Sequence, residues 1–212
     1  MSHYEFALLA FTSFITLINP FGIIPVFVSM TSSLEPSMRH KTARKANLVA
    51  FITLVAFAFT GEFLFKFFGI SVNSFRMVGG IIFFMLGMDM LQARLGKTRI
   101  PKKRVQEYVG DISITPLGIP MITGPGSITN AIVLMQDAKT WDMKGLLIAI
   151  IGLVILINTL GLLFASKITH LLGETGNNVM MRLMGLIVMV IAVEFFFSGL
   201  KPILQEIFML SP

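Results

Sequence analysis

Six apolar stretches separated by polar turns account for most of this chain: Phe6–Met30, Leu48–Phe68, Met77–Leu91, Ile112–Met135, Leu146–Ala165 and Leu183–Phe197. A membrane-spanning helix needs about 20 residues, usually roughly 17 to 25, so the third and sixth stretches must borrow from their boundaries. The pattern predicts an all-α, polytopic membrane protein with six transmembrane helices. Those spans use up most of the length, so residues 1–212 form a single membrane domain with no room for a soluble catalytic one. Two stretches carry helix-breaking elements, Asn19-Pro20-Phe21-Gly22-Ile23-Ile24-Pro25 and Thr115-Pro116-Leu117-Gly118-Ile119-Pro120. In hydrocarbon, freed backbone groups are tolerated only where protein or a water-filled cavity satisfies them. Breaks in corresponding spans of two halves therefore point to a binding site.

Composition agrees with the pattern. Hydrophobic residues make up 55% of the chain and charged residues 13%, with a mean hydropathy of +0.83, leaving too little polar surface for a soluble domain. The segment Met1–Glu5 lacks the basic region of a cleaved signal peptide, so none is expected. Cysteine is absent, which excludes disulfides and thiolate chemistry. The net charge of +6 could suggest nucleic acid, but its distribution argues otherwise. With six spans, Lys66, Arg76, Lys139, Lys144 and Lys201 share a side with both termini, and the other twelve of the 17 basic residues lie opposite. The positive-inside rule then predicts a protein of the inner (cytoplasmic) membrane with both termini outside. The cluster Arg94–Arg104 reads as a cytoplasmic retention signal touching anionic membrane lipid. No aromatic residues interleave with its charges, so nucleic acid is not an expected partner.

Three spans per half is an odd number, so a second copy must enter the membrane inverted. Arg76-Met77-Val78-Gly79 and Arg182-Leu183-Met184-Gly185 open the third and sixth spans alike. Gly69 and Gly173 precede them comparably. The offsets are 96 residues for the proline elements, 104 for these glycines and 106 for the arginine motifs. The expected organisation is two inverted three-helix repeats, 1–93 and 112–212, joined by a basic loop at 94–111, with helices 1 and 4 broken.

Asn19, Pro20, Gly22 and Pro25 form one candidate substrate-binding element. Thr115, Pro116, Gly118, Pro120, Thr123, Gly124, Gly126 and Ser127 form the other, with Thr129 a further candidate contact. Each proline removes an amide donor and crowds the preceding turn, while glycine opens backbone conformations closed to other residues. The freed half-helix N-termini can meet a carboxylate, and freed carbonyls an ammonium group or cation. The two elements differ in their approach: apolar residues precede Asn19, whereas Lys102–Ile114 is largely polar and suits entry from the cytoplasmic interface. Glu62, Asp89 and Glu194 are candidates for ion coupling, with headgroup contact as the competing role. Arg76 and Arg182 read as helix-end anchors, and Asn130 and Asn158 as interhelical hydrogen-bond partners. No phosphate loop, nucleophile elbow or metal-ligand spacing occurs, and the expectation is no enzyme, no cofactor and no metal.

Taken together, Ile18 to Phe27, the Pro116–Pro120 element followed by Gly124-Pro125, and Arg182 to Ile187 make the chain resemble the MarC family of integral membrane proteins over essentially its whole length. The resemblance implies a transporter of small neutral amino acids such as alanine, glycine or serine, grouped with six-span exporters built from inverted halves. Proton or sodium coupling and homo-oligomerisation stay open, as do a channel-like pore and a non-transporting membrane scaffold or assembly factor.

Overall fold

The computed structural model of the chain describes residues 2–31, 34–92 and 110–208. Helices α1 (His3–Ile18) and α2 (Pro20–Thr31) are the halves of an interrupted span, followed by α3 (Pro36–Phe67) and α4 (Val72–Leu91). A broken segment, Ser113–Ile122, leads into α5 (Pro125–Asp137) and then α6 (Trp141–Ile207). The protein is a helical, multi-pass integral membrane protein. Five described helical stretches are long and apolar enough to cross a membrane: His3–Val28, Pro36–Phe67, Val72–Leu91, Trp141–Ala165 and Gly185–Ile207. Gly110–Ile122 and Pro125–Asp137, bent by 63° at their junction, bring the number to six if they count as one span.

Boundaries depart from the apolar stretches where polar residues belong to the helices. Val72–Arg76 join α4, because the Ser71 side chain caps it by accepting from the Ser74 N–H at 2.9 Å. Lys201 and Pro202 stay inside α6, carrying the last span to Ile207 rather than Phe197. The cluster Arg94–Arg104 lies outside the described residues.

At 67 residues, α6 would run about 100 Å if straight. Its neighbours forbid that. Asn158 bonds Asn47 on α3, and Gly161 packs near Ile24 on α2, yet Val188 and Ile191 line a cavity with Ile23. The helix therefore turns back on itself and supplies two spans.

Lipid tails are as apolar as leucine, so close packing rather than water exclusion must hold these helices together. Small residues provide it. Ala43, Ala46, Ala50, Ala58 and Gly61 form much of the buried stripe of α3. A β-carbon at Gly80 of α4 would lie 2.7 Å from the Ala192 carbonyl oxygen, and one at Gly87 would lie 2.8 Å from that of Gly185. The second span of α6 thus runs antiparallel to α4 at near-backbone contact. Large apolar side chains such as Phe63, Phe67 and Trp141 face outward, as a lipid solvent permits.

One polar bond ties α3 to the first span of α6. Asn158 Nδ2 donates to Asn47 Oδ1 at 2.7 Å, and Asn47 Nδ2 donates to the Ala43 carbonyl at 2.9 Å, all fully buried. Replacing Asn47 by leucine strands the Asn158 amide and should cost about 1 kcal/mol of unfolding free energy. The N47L/N158L double variant should recover part of that loss. Denaturant titration in micelles checks this, and additive single effects would show that the two amides are not coupled.

Candidate functional site

The first break is one residue wide. Asn19 adopts φ 46° and ψ 69°, a left-handed conformation that asparagine tolerates better than most residues. Its N–H closes α1 on the Ile15 carbonyl at 3.1 Å, and its carbonyl opens α2 by accepting from the Gly22 N–H at 3.0 Å. The Asn19 side-chain oxygen accepts from the same N–H at 3.2 Å. Pro20 takes the first helical position, where no donor is missed. The prolines and glycine therefore do not unwind this span, contrary to the sequence-based expectation. Gly22 and Pro25 lie within α2, and Gly22 is small because a β-carbon would lie 2.6 Å from Asn19 Nδ2.

The second break is longer. Thr115 (φ −130°, ψ 124°) and Ile119 (φ −131°, ψ 122°) are extended, and each precedes a cis proline, Pro116 or Pro120. A following proline disfavours the helical conformation of the residue before it, which accounts for both interruptions. Thr123 repairs the end of the segment: its N–H and its hydroxyl both donate to the Gly118 carbonyl, at 3.0 and 2.7 Å. Gly118 presses on α3, where a β-carbon would lie 3.0 Å from Val49 and 3.3 Å from the Ala46 carbonyl oxygen.

Gly124-Pro125-Gly126 then seats α5 among three helices. Gly124 lies under the Phe83 ring, Pro125 fills the notch at Gly79, and Gly126 lies against Phe195 and Leu17. Gly124 caps α5 without a side-chain hydrogen bond. Ser127, in the first turn, is buried and its hydroxyl has no partner; the same holds for Thr129.

Two cavities flank these breaks. One, of about 160 Å³, is mostly apolar and is lined by Asn19 and Gly22 from the first break, Met121 from the second, and Phe83, Val188 and Ile191. The other, of about 360 Å³, is lined by Gly126, Thr129, Asn130, Arg76 and Ser198. Leu17 and Phe195 border both.

Of the residues expected at a site, Asn19 and Gly22 reach the first cavity and Gly126 and Thr129 the second. Pro20, Pro25, Thr123, Gly124 and Ser127 are buried beside them without lining either. Thr115 is exposed, Pro116 and Pro120 are half-buried, and these three, with Gly118, line neither cavity. The carboxylates lie elsewhere. Glu62 is exposed and pairs with Lys66 one turn on, Glu194 is exposed, and Asp89 is half-buried away from both cavities. Asn130 does bridge helices, donating to Ser13 Oγ of α1 at 2.9 Å. Sequence reasoning missed Leu17 and Phe195, since an apolar residue in an apolar span carries no local mark of what it faces.

The chain matches the MarC family integral membrane protein description over residues 4–204. It belongs to the MarC family. Similar proteins include UPF0056 membrane proteins of Pyrococcus horikoshii, 36% identical with 92% of this chain and 94% of the relative covered, and of Buchnera aphidicola subsp. Schizaphis graminum, 38% identical with 93% and 92% covered. The UPF0056 membrane protein YhcE of Escherichia coli is 36% identical, with 91% of each chain covered. No solved structure matches. For this MarC protein, the matches cover more than nine-tenths of the chain, so the likeness is one of whole chains.

The seat of α5 can be tested against a glycine with open surroundings. Gly126→Ala drives a β-carbon into Phe195 and Leu17 and should destabilise by about 1–3 kcal/mol. Gly145→Ala, within α6 and with nothing inside 4 Å, should be neutral or stabilise by up to about 1 kcal/mol. Thermal unfolding in detergent measures both, and equal effects would deny the close packing at Gly126.

Proposed function

We propose that this MarC protein is a transporter of small neutral amino acids that works by alternating access. The observation that carries the reading is the pair of cavities beside the broken helices, divided by Leu17 and Phe195. A carrier needs a site reachable from either side but not from both at once, and two bulky side chains on different helices can part without disturbing either backbone. The first cavity, at about 160 Å³, suits a small solute. At the second break, the α5 N-terminus has no side-chain cap and Gly126 brings it to the larger cavity, a setting that favours a carboxylate.

The helix pairing supports inverted repeats. Ser13 meets Asn130 and Leu17 meets Gly126, which sets α1 antiparallel to α5. Asn47 meets Asn158, and α4 meets the second span of α6 at Gly80 and Gly87. α1, α3 and α4 of the first half thus each contact the corresponding span of the second, an arrangement that suits helices lying beside a two-fold axis in the membrane plane. On this reading one repeat rocks against the other, the basic side faces the cytoplasm and both termini face outward. The exposed positions of Glu62 and Glu194 favour interfacial roles over coupling.

In proteoliposomes, wild-type protein should show saturable counterflow of labelled L-alanine. Phe195→Ala should join the cavities, raising the unsaturable leak several-fold and abolishing counterflow. Unsaturable wild-type flux with single-channel currents would replace the carrier with a pore, and absence of flux across a broad solute panel would favour a scaffold.

A further inference from the structure

Arg76 is the feature that the transport reading leaves unused. It lies on the second turn of α4, inside a candidate span, and lines the larger cavity rather than lying wholly exposed. Among the described residues it has no ion pair and no hydrogen-bond partner, and no carboxylate lines that cavity. A guanidinium in a membrane segment is costly unless something neutralises it, and it is shaped to hold an oxyanion through two parallel bonds.

The second observation is independent of charge. Thr12, Thr16, Thr31, Thr42, Thr60 and Thr159 each donate their hydroxyl to the carbonyl four residues earlier, the usual resort of threonine in a helix. Thr129 does not. It is 3% exposed, its hydroxyl has no partner, and it lines the same cavity as Arg76. A buried hydroxyl without a partner is destabilising. That cost is relieved if a ligand accepts from it. Gly126, in the first turn of α5, adds the positive end of a helix to the same lining. Asn130 directs an amide N–H to Ser13 and Ser198 its hydroxyl to the Phe195 carbonyl, which leaves acceptor oxygens on two more lining residues.

We infer that Arg76 and Thr129 form an anion subsite that holds the carboxylate of the transported solute on one side of the Leu17–Phe195 partition. The inference rests on the transport reading for its solute, but the subsite is a binding property that flux does not define. Arg76 supplies charge and a bidentate fork, and Thr129 supplies one directional donor. Asn130 and Ser198 present the oxygen-rich wall that an ammonium group requires. The larger cavity is therefore the polar vestibule that holds the solute on its side of the partition.

The test uses full-length protein reconstituted in phosphatidylcholine vesicles, with phenylglyoxal modification of Arg76 read by mass spectrometry. L-Alanine and propionate should each slow modification at least fivefold, while ethylamine, which lacks the carboxylate, should not. Thr129→Val should raise the protecting concentration about tenfold without lowering the thermal midpoint, since it removes a hydroxyl that has no partner in the empty site. Arg76→Gln should abolish the thermal shift given by propionate. Equal modification with and without either carboxylate would overturn the subsite, even if alanine flux is normal. Protection with no flux would instead leave the subsite standing and overturn the transport reading. Protection that requires added phosphatidylglycerol and ignores alanine would assign the oxyanion to lipid and overturn the solute carboxylate.

Discussion

Every backbone N–H and C=O placed in hydrocarbon must find a partner inside the protein, at a cost of several kcal/mol for each that does not. That constraint decides how this chain can interrupt its helices. At Asn19 the interruption is held to one residue, because the left-handed turn lets the N–H finish α1 while the carbonyl starts α2. At Thr115–Thr123 it is longer, and the repair falls to Thr123, whose two donors converge on the Gly118 carbonyl. Both breaks spend side-chain hydrogen-bonding capacity on backbone, and what is left over is confined to a few atoms.

Packing follows from the same solvent. With no water to expel between helices, contact must come from close approach, and glycine and alanine set where it occurs. Gly80 and Gly87 bring α4 onto the returning span of α6, while Gly79 accepts Pro125 and so fixes the start of α5 against α4. The arrangement has a functional consequence. The α5 N-terminus is located by Gly79 and Phe83 on α4, whereas the side chains that divide the cavities, Leu17 and Phe195, come from α1 and α6. Leu17 belongs to the first repeat and Phe195 to the second, so rocking of one repeat against the other would part the two side chains and open the partition.

Much of the fold was legible in the sequence because lipid writes it in long apolar runs. The two breaks were legible too, since Pro20, Pro25, Pro116, Pro120 and Pro125 within such runs need an explanation. Their mechanism was not. Proline and glycine suggested unwinding around Gly22, yet Pro20 starts a helix, Pro25 is carried within it, and Asn19 makes the turn. Composition cannot distinguish those outcomes, because a proline at a first helical position and one in an unwound turn look alike in one dimension. The candidate site was legible on its polar side, at Asn19, Gly126 and Thr129. The apolar wall was not, because Leu17, Phe83 and Phe195 differ from lipid-facing neighbours only in what lies across from them.

Three buried polar atoms among the described residues lack a partner: Ser127 Oγ, Thr129 Oγ1 and Asn158 Oδ1. Scattered at random they would be packing faults, but two belong to the first turns of α5, the helix that begins at the second break. Asn158 is explained by its bond to Asn47, which satisfies the amide and leaves only one acceptor over. The α5 hydroxyls have no such account within the protein. Thr16, which lines the smaller cavity, returns its hydroxyl to the Thr12 carbonyl; Thr129, which lines the larger, withholds it. Six threonines on the other helices return their hydroxyls to the backbone. Thr129, buried and sharing a cavity with an arginine that has no ion pair among the described residues, keeps its hydroxyl for something that arrives with lone pairs.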